Sequence, residues 1–226
     1  MKSSDCRVLV INPGSTSTKV GLFEGTREVF TSSIAHDAAK LAEFEGVSAQ
    51  LPYRRDMPVG IVVTGSEVYS GRIRDKFEPV VREKLAPFGA NVLGCIFCDD
   101  YLEMLDAAIE KWRSRGAKLI VMTGGMSVDP DDLTVTAIRR SGAEIVTQGV
   151  PAQPGNMFTV AYLDDITILG VPGAAIHAKT TMLDVVLPQV FTGVPFTRDE
   201  LRRMGAGGLC QGCAECRYPN CTFGKY

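Results

Sequence analysis

Lys118-Leu-Ile-Val-Met-Thr123, Gly124-Gly125-Met126-Ser127 and Val128-Asp-Pro-Asp-Asp132 follow one another without interruption, and their reading decides the fold. The apolar run suits a strand buried on both faces. Two glycines after it let the backbone turn without a Cβ clash and approach a ligand closely. A helix starting just beyond offers N–H groups and a positive dipole end to an anion. Asp131 or Asp132 then either caps that helix or contributes charge to chemistry.

Outward from this stretch, strands and helices alternate. Upstream, Val59 to Val63 is a second short apolar run, ending in Thr64-Gly65-Ser66-Glu67. Ile73, Phe77, Val80, Val81 and Leu85 then fall at helical spacing, with Asp75 as the expected N-cap. Asn91 to Phe97 reads as a strand, and Leu102, Leu105, Ile109 and Trp112 form a helical stripe closing at Gly116. Downstream, Val135 and Ile138 face inward from a helix, and Glu144 to Thr147 is a further strand. Phe158 to Leu163 and Ile166 to Leu169 flank an Asp164-Asp165 hairpin turn, and a helix is expected from Ala174 to Val190. The pattern predicts a three-layer α/β/α fold with a mostly parallel sheet. Ligands of such sheets bind at the carboxyl edge of the strands, where loops 64–72, 123–132 and 170–176 should gather.

The chain has 226 residues, 45% of them hydrophobic, and a formal net charge of -2. That is enough for one large core, and it gives no long-range attraction to nucleic acid. No apolar run is long enough to span a bilayer, and Met1-Lys-Ser-Ser-Asp5 lacks the apolar region of a signal peptide, so a cytoplasmic protein is expected.

Residues 1–57 differ in pattern. Arg7 to Ile11, Lys19 to Phe23 and Glu28 to Ser32 read as a β-meander, with a short helix from His36 to Phe44. Val10-Ile-Asn-Pro-Gly-Ser-Thr-Ser-Thr-Lys19 and Tyr53-Arg54-Arg55-Asp56 resemble the amino-terminal segment of butyrate kinases, whose residue matching Asn12 lies near substrate and metal. Phosphoryl transfer needs nucleotide, magnesium and acceptor held together, which one hairpin does not do, so this segment reads as an inactive kinase-like fragment, with acyl (butyrate) kinase as the third and least favoured function. A junction is expected between Arg54 and Pro58.

The three loops of the second section resemble, in order, those of the molybdopterin-binding domain shared by molybdenum insertases and molybdopterin adenylyltransferases. The resemblance rests on Thr64-Gly65-Ser66-Glu67 with Gly71-Arg-Ile-Arg-Asp75, on Thr123-Gly-Gly-Met-Ser-Val128 with Asp132-Leu-Thr134, and on Pro154-Gly155 and Val171-Pro-Gly173. It implies that Thr64, Gly65, Ser66, Thr123, Gly124, Gly125, Ser127, Pro172 and Gly173 bind molybdopterin or the molybdenum cofactor. It also implies that Asp75, Asp132 and Glu67 are the acidic catalytic positions, two of which hold Mg2+. Lys76-Phe77 stands where the insertases often have Ser-Asn, Asn156 where a lysine is common, and Ala174-Ala175 where Asn-Pro usually follows Pro-Gly. The implied function is cofactor biosynthesis or delivery, extending to molybdate insertion into adenylated molybdopterin; the alternative is a non-catalytic carrier or sensor. A homo-oligomer is implied, with molybdoenzymes as further partners and no membrane or nucleic acid. His177 and Lys179, with Arg72 and Arg74, are secondary anion-contact candidates against the commoner reading as solvated side chains.

Residues 197–226 open with a short charged helix, Thr197 to Met204. Gly205-Ala-Gly-Gly208 is expected to act as a flexible joint to Cys210-x2-Cys213-x2-Cys216-x4-Cys221. Four thiolates so spaced suit one Zn2+ ion or one iron–sulfur cluster. The domain reading is therefore 1–57, 58–196 and 197–226.

Overall fold

The computed structural model describes residues 7–13, 17–24, 27–35, 54–126 and 133–225. The chain divides into two compact units, Met1–Pro52 and Tyr53–Tyr226. In the first, β1 (Arg7–Pro13), β2 (Ser17–Glu24) and β3 (Arg27–Ala35) form an antiparallel meander in the order β1-β2-β3. The expected helix from His36 to Phe44 lies outside the described residues.

The second unit is built on a six-stranded sheet ordered β5-β4-β6-β9-β8-β7. Its strands are β4 (Pro58–Thr64), β5 (Asn91–Cys98), β6 (Leu119–Thr123), β7 (Glu144–Gln148), β8 (Thr159–Leu163) and β9 (Ile166–Val171). β5, β4, β6 and β9 pair in parallel, while β8 pairs antiparallel with both β9 and β7. The tight Asp164-Asp165 turn explains the β8–β9 pairing: two residues reverse a strand but leave no room for a crossover helix. The helices are α1 (Ser66–Tyr69), α2 (Phe77–Leu85), α3 (Leu102–Ser114), α4 (Thr134–Arg140), α5 (Met182–Thr192) and α6 (Arg198–Arg203).

Strand periodicity assigns the sheet's two faces. Ile61, Val63, Leu119, Val121, Leu169 and Val171 meet Val81 and Leu85 of α2 and Leu183, Val186, Leu187 and Phe191 of α5. Val62, Ile120, Met122 and Ile168 meet Leu105, Ile109 and Trp112 of α3 and Ile138 of α4. Each residue of β6 is therefore enclosed from one side or the other, as alternation on a covered sheet requires. Trp112 lies over Gly60, where a Cβ would run into its ring, and its indole N–H donates to the Ile61 carbonyl at 3.1 Å.

Two expectations are corrected. The last long helix does not start at Ala174: a single 3-10 turn spans Gly173–Ile176, and α5 begins after Thr181. Thr181 is extended, at φ -137° and ψ -178°, and forms a capping box with Asp184, so the chain leaves helical geometry there and restarts. Gly205 to Gly208 is not a flexible joint either. Met204–Gly207 is a 3-10 turn in which a Cβ on Gly207 would strike the Thr222 carbonyl, and one on Gly208 the Pro151 carbonyl. These glycines permit close backbone packing, and Phe223 beyond them is 2% exposed within the core.

Trp112→Ala is expected to remove about 3–5 kcal/mol of stability, by cavity formation, in urea or thermal unfolding. A pH effect comes from β5. Burial pushes the Cys95 thiol up to about 12 and the Cys98 thiol up to about 11, from 9.0. Above pH 9 the unfolded chain ionises these thiols while the fold keeps their protons, so stability is full below about pH 9 and falls as pH rises toward 11–12. Unfolding midpoints between pH 8 and 11 check the sign; Cys95→Ala should flatten the decline.

Candidate functional site at the carboxyl edge

Parallel register brings four strand ends into line. Thr64 pairs with Cys98, Val63 with Thr123, and Thr123 with Val171, so the segments after β4, β5, β6 and β9 leave one edge together. The connection from β4 to β5 moves one way across the sheet and the next, to β6, moves back. Strand order thus reverses between β4 and β6, where open α/β sheets form a ligand crevice.

The two loops flanking that reversal touch. Gly124 adopts φ +85°, and a Cβ on it would run into the Thr64 carbonyl. Gly125 adopts φ +52°, and its Cβ would stand 2.8 Å from the Thr134 Oγ1. The Thr134 hydroxyl in turn donates to the Gly124 carbonyl at 2.9 Å, fixing the glycine pair to the start of α4. Thr123 is fully buried, and its hydroxyl donates to the Val62 carbonyl at 3.4 Å. Met126 fills the space over Gly170 of β9. Ser127, Asp131 and Asp132, central to the sequence reading, lie outside the described residues.

An aspartate missed in the sequence organises the first loop. The buried Thr64 hydroxyl donates to Asp100 Oδ1 at 2.7 Å, and the Ser66 N–H donates to Asp100 Oδ2 at 3.1 Å. The Gly65 N–H donates to the Cys98 carbonyl at 3.2 Å. One carboxylate after β5 therefore holds the turn after β4. The available signal was the position of Asp99-Asp100, directly after a parallel strand.

The other acidic candidates are placed differently. Glu67 is exposed on α1, and its carbonyl accepts the Arg72 and Ile73 N–H groups at 2.9 and 3.2 Å. Asp75 accepts the Phe77 N–H at 2.8 Å and the Glu78 N–H at 2.9 Å, so it caps α2 with both oxygens, while Lys76 occupies the backbone cap position. A carboxylate so engaged keeps further lone pairs and complements the helix dipole. Pro172 and Gly173 lead from β9 into the 3-10 turn, with His177 and Lys179 exposed beyond it. A Cβ built on Gly65 or Gly173 would meet nothing within 4 Å, so both loops face open space. Such space beside turning backbone fits an anionic ligand approaching the edge.

The tail cysteines form a separate feature. Cys210, Cys213, Cys216 and Cys221 are free thiols bordering one cavity of about 430 Å³, whose wall includes Pro154, Lys179, Thr180 and Tyr218. Among the described residues, no group of three or more Cys, His, Asp or Glu side chains is drawn together to hold a metal ion. What the four thiols share is the border of this cavity, so the expectation of one Zn2+ ion or one iron–sulfur cluster rests on their spacing. Thr180 Oγ1 lies 3.1 Å from Cys216 Sγ; that contact and the Tyr218 N–H draw the Cys216 thiol below its usual range. The Tyr218 hydroxyl donates to the Asp184 carbonyl at 3.1 Å, and burial pushes it up to about 12. Lys84, paired with Asp184 at 2.6 Å, ties α2 to the same corner. No helix among the described residues is long and apolar enough to cross a membrane.

Residues 60–192 match a family described as a probable molybdopterin binding domain. A molybdopterin molybdenumtransferase of Synechococcus elongatus is 28% identical over 142 residues, 58% of this chain and 35% of that protein. A CinA-like protein of Mycobacterium sp. (strain MCS) is 35% identical over 88 residues, 38% of this chain and 21% of that protein. The chain thus spans about a third or less of the length of these curated relatives. Among solved structures, the tungsten cofactor synthesizing protein MoaB of Pyrococcus furiosus has the same fold, with a TM-score of 0.51 at 18% identity over 60% of this chain and 93% of that one.

Asp100→Ala leaves the buried Thr64 hydroxyl without its acceptor, at a cost of about 1–3 kcal/mol. Amide hydrogen exchange at Ser66 is expected to accelerate by about tenfold or more, the equivalent of 1.4 kcal/mol. An unchanged rate would remove Asp100 from the organisation of this loop.

Proposed function

The chain belongs to the molybdopterin-binding domain family, and from that premise we propose that its carboxyl-edge loops bind a molybdopterin-type ligand in molybdenum cofactor biosynthesis or delivery. The observation that carries the reading is the contact of Gly124 with Thr64, which joins two glycine turns at the strand-order reversal while Gly65 and Gly173 open onto free space. Gly65, Ser66, Gly124 and Gly125, with Ser127, receive the anionic end of the ligand, the buried Thr64 and Thr123 lead the chain into these turns, and Pro172 and Gly173 border it. Backbone N–H groups suit a phosphate because they offer donors without a counter-charge to desolvate. Asp100 positions the first of these turns.

Binding without turnover is the first form of this proposal. Asp75 already serves α2 as a cap, and Lys76, Asn156, Ala174 and Ala175 replace residues that the insertases commonly carry. The second form is molybdate insertion into adenylated molybdopterin, with Asp75 and Asp132 holding Mg2+ and Glu67 as the further acidic group. Carboxylates suit that cation, which keeps several of its waters and takes one or two protein oxygens. Cytoplasmic residence accompanies either form, supported by six free thiols among the described residues. Self-association is part of the reading as well: Tyr69, Ile73, Phe97 and Tyr101 are exposed near the end of edge strand β5.

Anaerobic titration with molybdopterin, followed by fluorescence, tests the binding site. Gly173→Val adds a side chain where nothing stands within 4 Å, so the fold is expected to persist while affinity falls by about tenfold or more. Undiminished binding would reject the site. Incubation with adenylated molybdopterin, molybdate and Mg2+ separates the two forms: the carrier reading expects no release of nucleotide, and turnover abolished by Asp75→Ala would select insertion.

A further inference from the structure

The tail poses a physical problem of its own. Its segment is fixed at both ends: the Cys210 N–H donates to the Gln153 carbonyl at 2.9 Å, and the Gly224 N–H donates to the Gly207 carbonyl at 2.9 Å. Phe223 adds a buried anchor. Between these points residues 211–217 are exposed and contribute no buried apolar side chain. Cys210 and Cys221 pack against the core, but hydrophobic burial does not hold the exposed Cys213 and Cys216 at the same space. A bound centre supplies that energy, as it does in small metal-stapled folds.

The shape of the space selects the centre. A single zinc ion needs four sulfurs about 2.3 Å from one point. The tail presents a different geometry: all four thiols border a cavity of about 430 Å³, and no three ligating side chains among the described residues converge on one ion. An iron–sulfur cluster of the four-iron type places one thiolate on each iron, so its ligands surround a volume. We propose that Cys210, Cys213, Cys216 and Cys221 ligate an iron–sulfur cluster seated in this cavity. The proposal is independent of what binds at the carboxyl edge.

Loading is a ligand exchange without electron transfer. Each protein thiol forms one iron–sulfur bond, one small-molecule thiolate leaves that iron, and the thiol's proton passes to the departing thiolate. Thr180 then has a defined role. Its Oγ1 lies 3.1 Å from Cys216 Sγ, and toward a ligated thiolate the hydroxyl is the donor. Such a hydrogen bond stabilises the more negative, reduced cluster and raises its potential.

The test uses the full chain, purified without oxygen and mixed with a four-iron, four-sulfide cluster carrying four small thiolates. Parallel samples receive Zn2+ or Co2+ alone. After gel filtration the expected result is about four irons and four sulfides per chain, with visible absorbance that bleaches on reduction. Cys213→Ser and Cys216→Ser, both at exposed positions, should lose at least about nine-tenths of the iron while circular dichroism stays unchanged. Cys95→Ser should retain it. Thr180→Val should keep the cluster and lower its potential. Retention of one Co2+ with thiolate charge-transfer bands but no iron would overturn the proposal in favour of a single ion. Tail disulfides, or no retained metal, would overturn it as well.

Discussion

Burial of β6 on both faces is the constraint from which the rest follows. A strand whose five residues all lie inside has no solvent face, so its neighbours must be reached by crossovers that carry helices over each side of the sheet. Those crossovers make β4, β5, β6 and β9 parallel. Parallel strands end at one edge, and the reversal of order between β4 and β6 leaves a crevice there. Glycine appears at that edge because the two turns must pass closer than a side chain allows, as Gly124 does against Thr64. A core requirement thereby fixes the edge at which the glycine turns gather.

The tail is tied to the same sheet by backbone contact more than by side-chain burial. Gln153 and Leu209 form a parallel bridge, Gly207 and Gly208 lie against the Thr222 and Pro151 carbonyls, and Phe223 enters the core beside α5. Lys179 and Thr180, a few residues after the Pro172-Gly173 turn, line the cysteine cavity. The segment leaving β9 thus runs from the carboxyl edge to the thiols. The partly buried Lys84–Asp184 pair braces this corner from α2, and Tyr218 closes it through the Asp184 carbonyl.

Much of this architecture was legible in the residues. Apolar runs marked β4, β6, β8 and β9 because a strand covered on both faces admits few polar side chains, and the same signal marked the edge strand β5. The stripe ending in Trp112 marked α3, and Asp75 was recognisable as a cap because an aspartate beside a helix start finds its donors within three residues. Asp100 was not recognisable, since its partner Thr64 stands 36 residues away and meets it only through parallel register. The start of α5 was misplaced because helical spacing near Ala175 ignores the local capping box at Thr181 and Asp184. Gly205 to Gly208 looked like a linker because composition does not distinguish a flexible glycine from one pressed against another backbone. The cysteine spacing was plain, but the cavity that the thiols border is also walled by Thr180 and Tyr218, which no spacing contains.

The central claim is that a molybdopterin-type ligand sits at the reversal of strand order. The most direct measurement is a crystal structure of the full chain grown without oxygen in the presence of molybdopterin. The account predicts ligand density between the turns at Thr64–Ser66 and Thr123–Gly125, with its phosphate against backbone N–H groups and Asp100 still joined to Thr64. Ligand density confined to the cysteine cavity, or a carboxyl edge empty at saturating ligand, would contradict it.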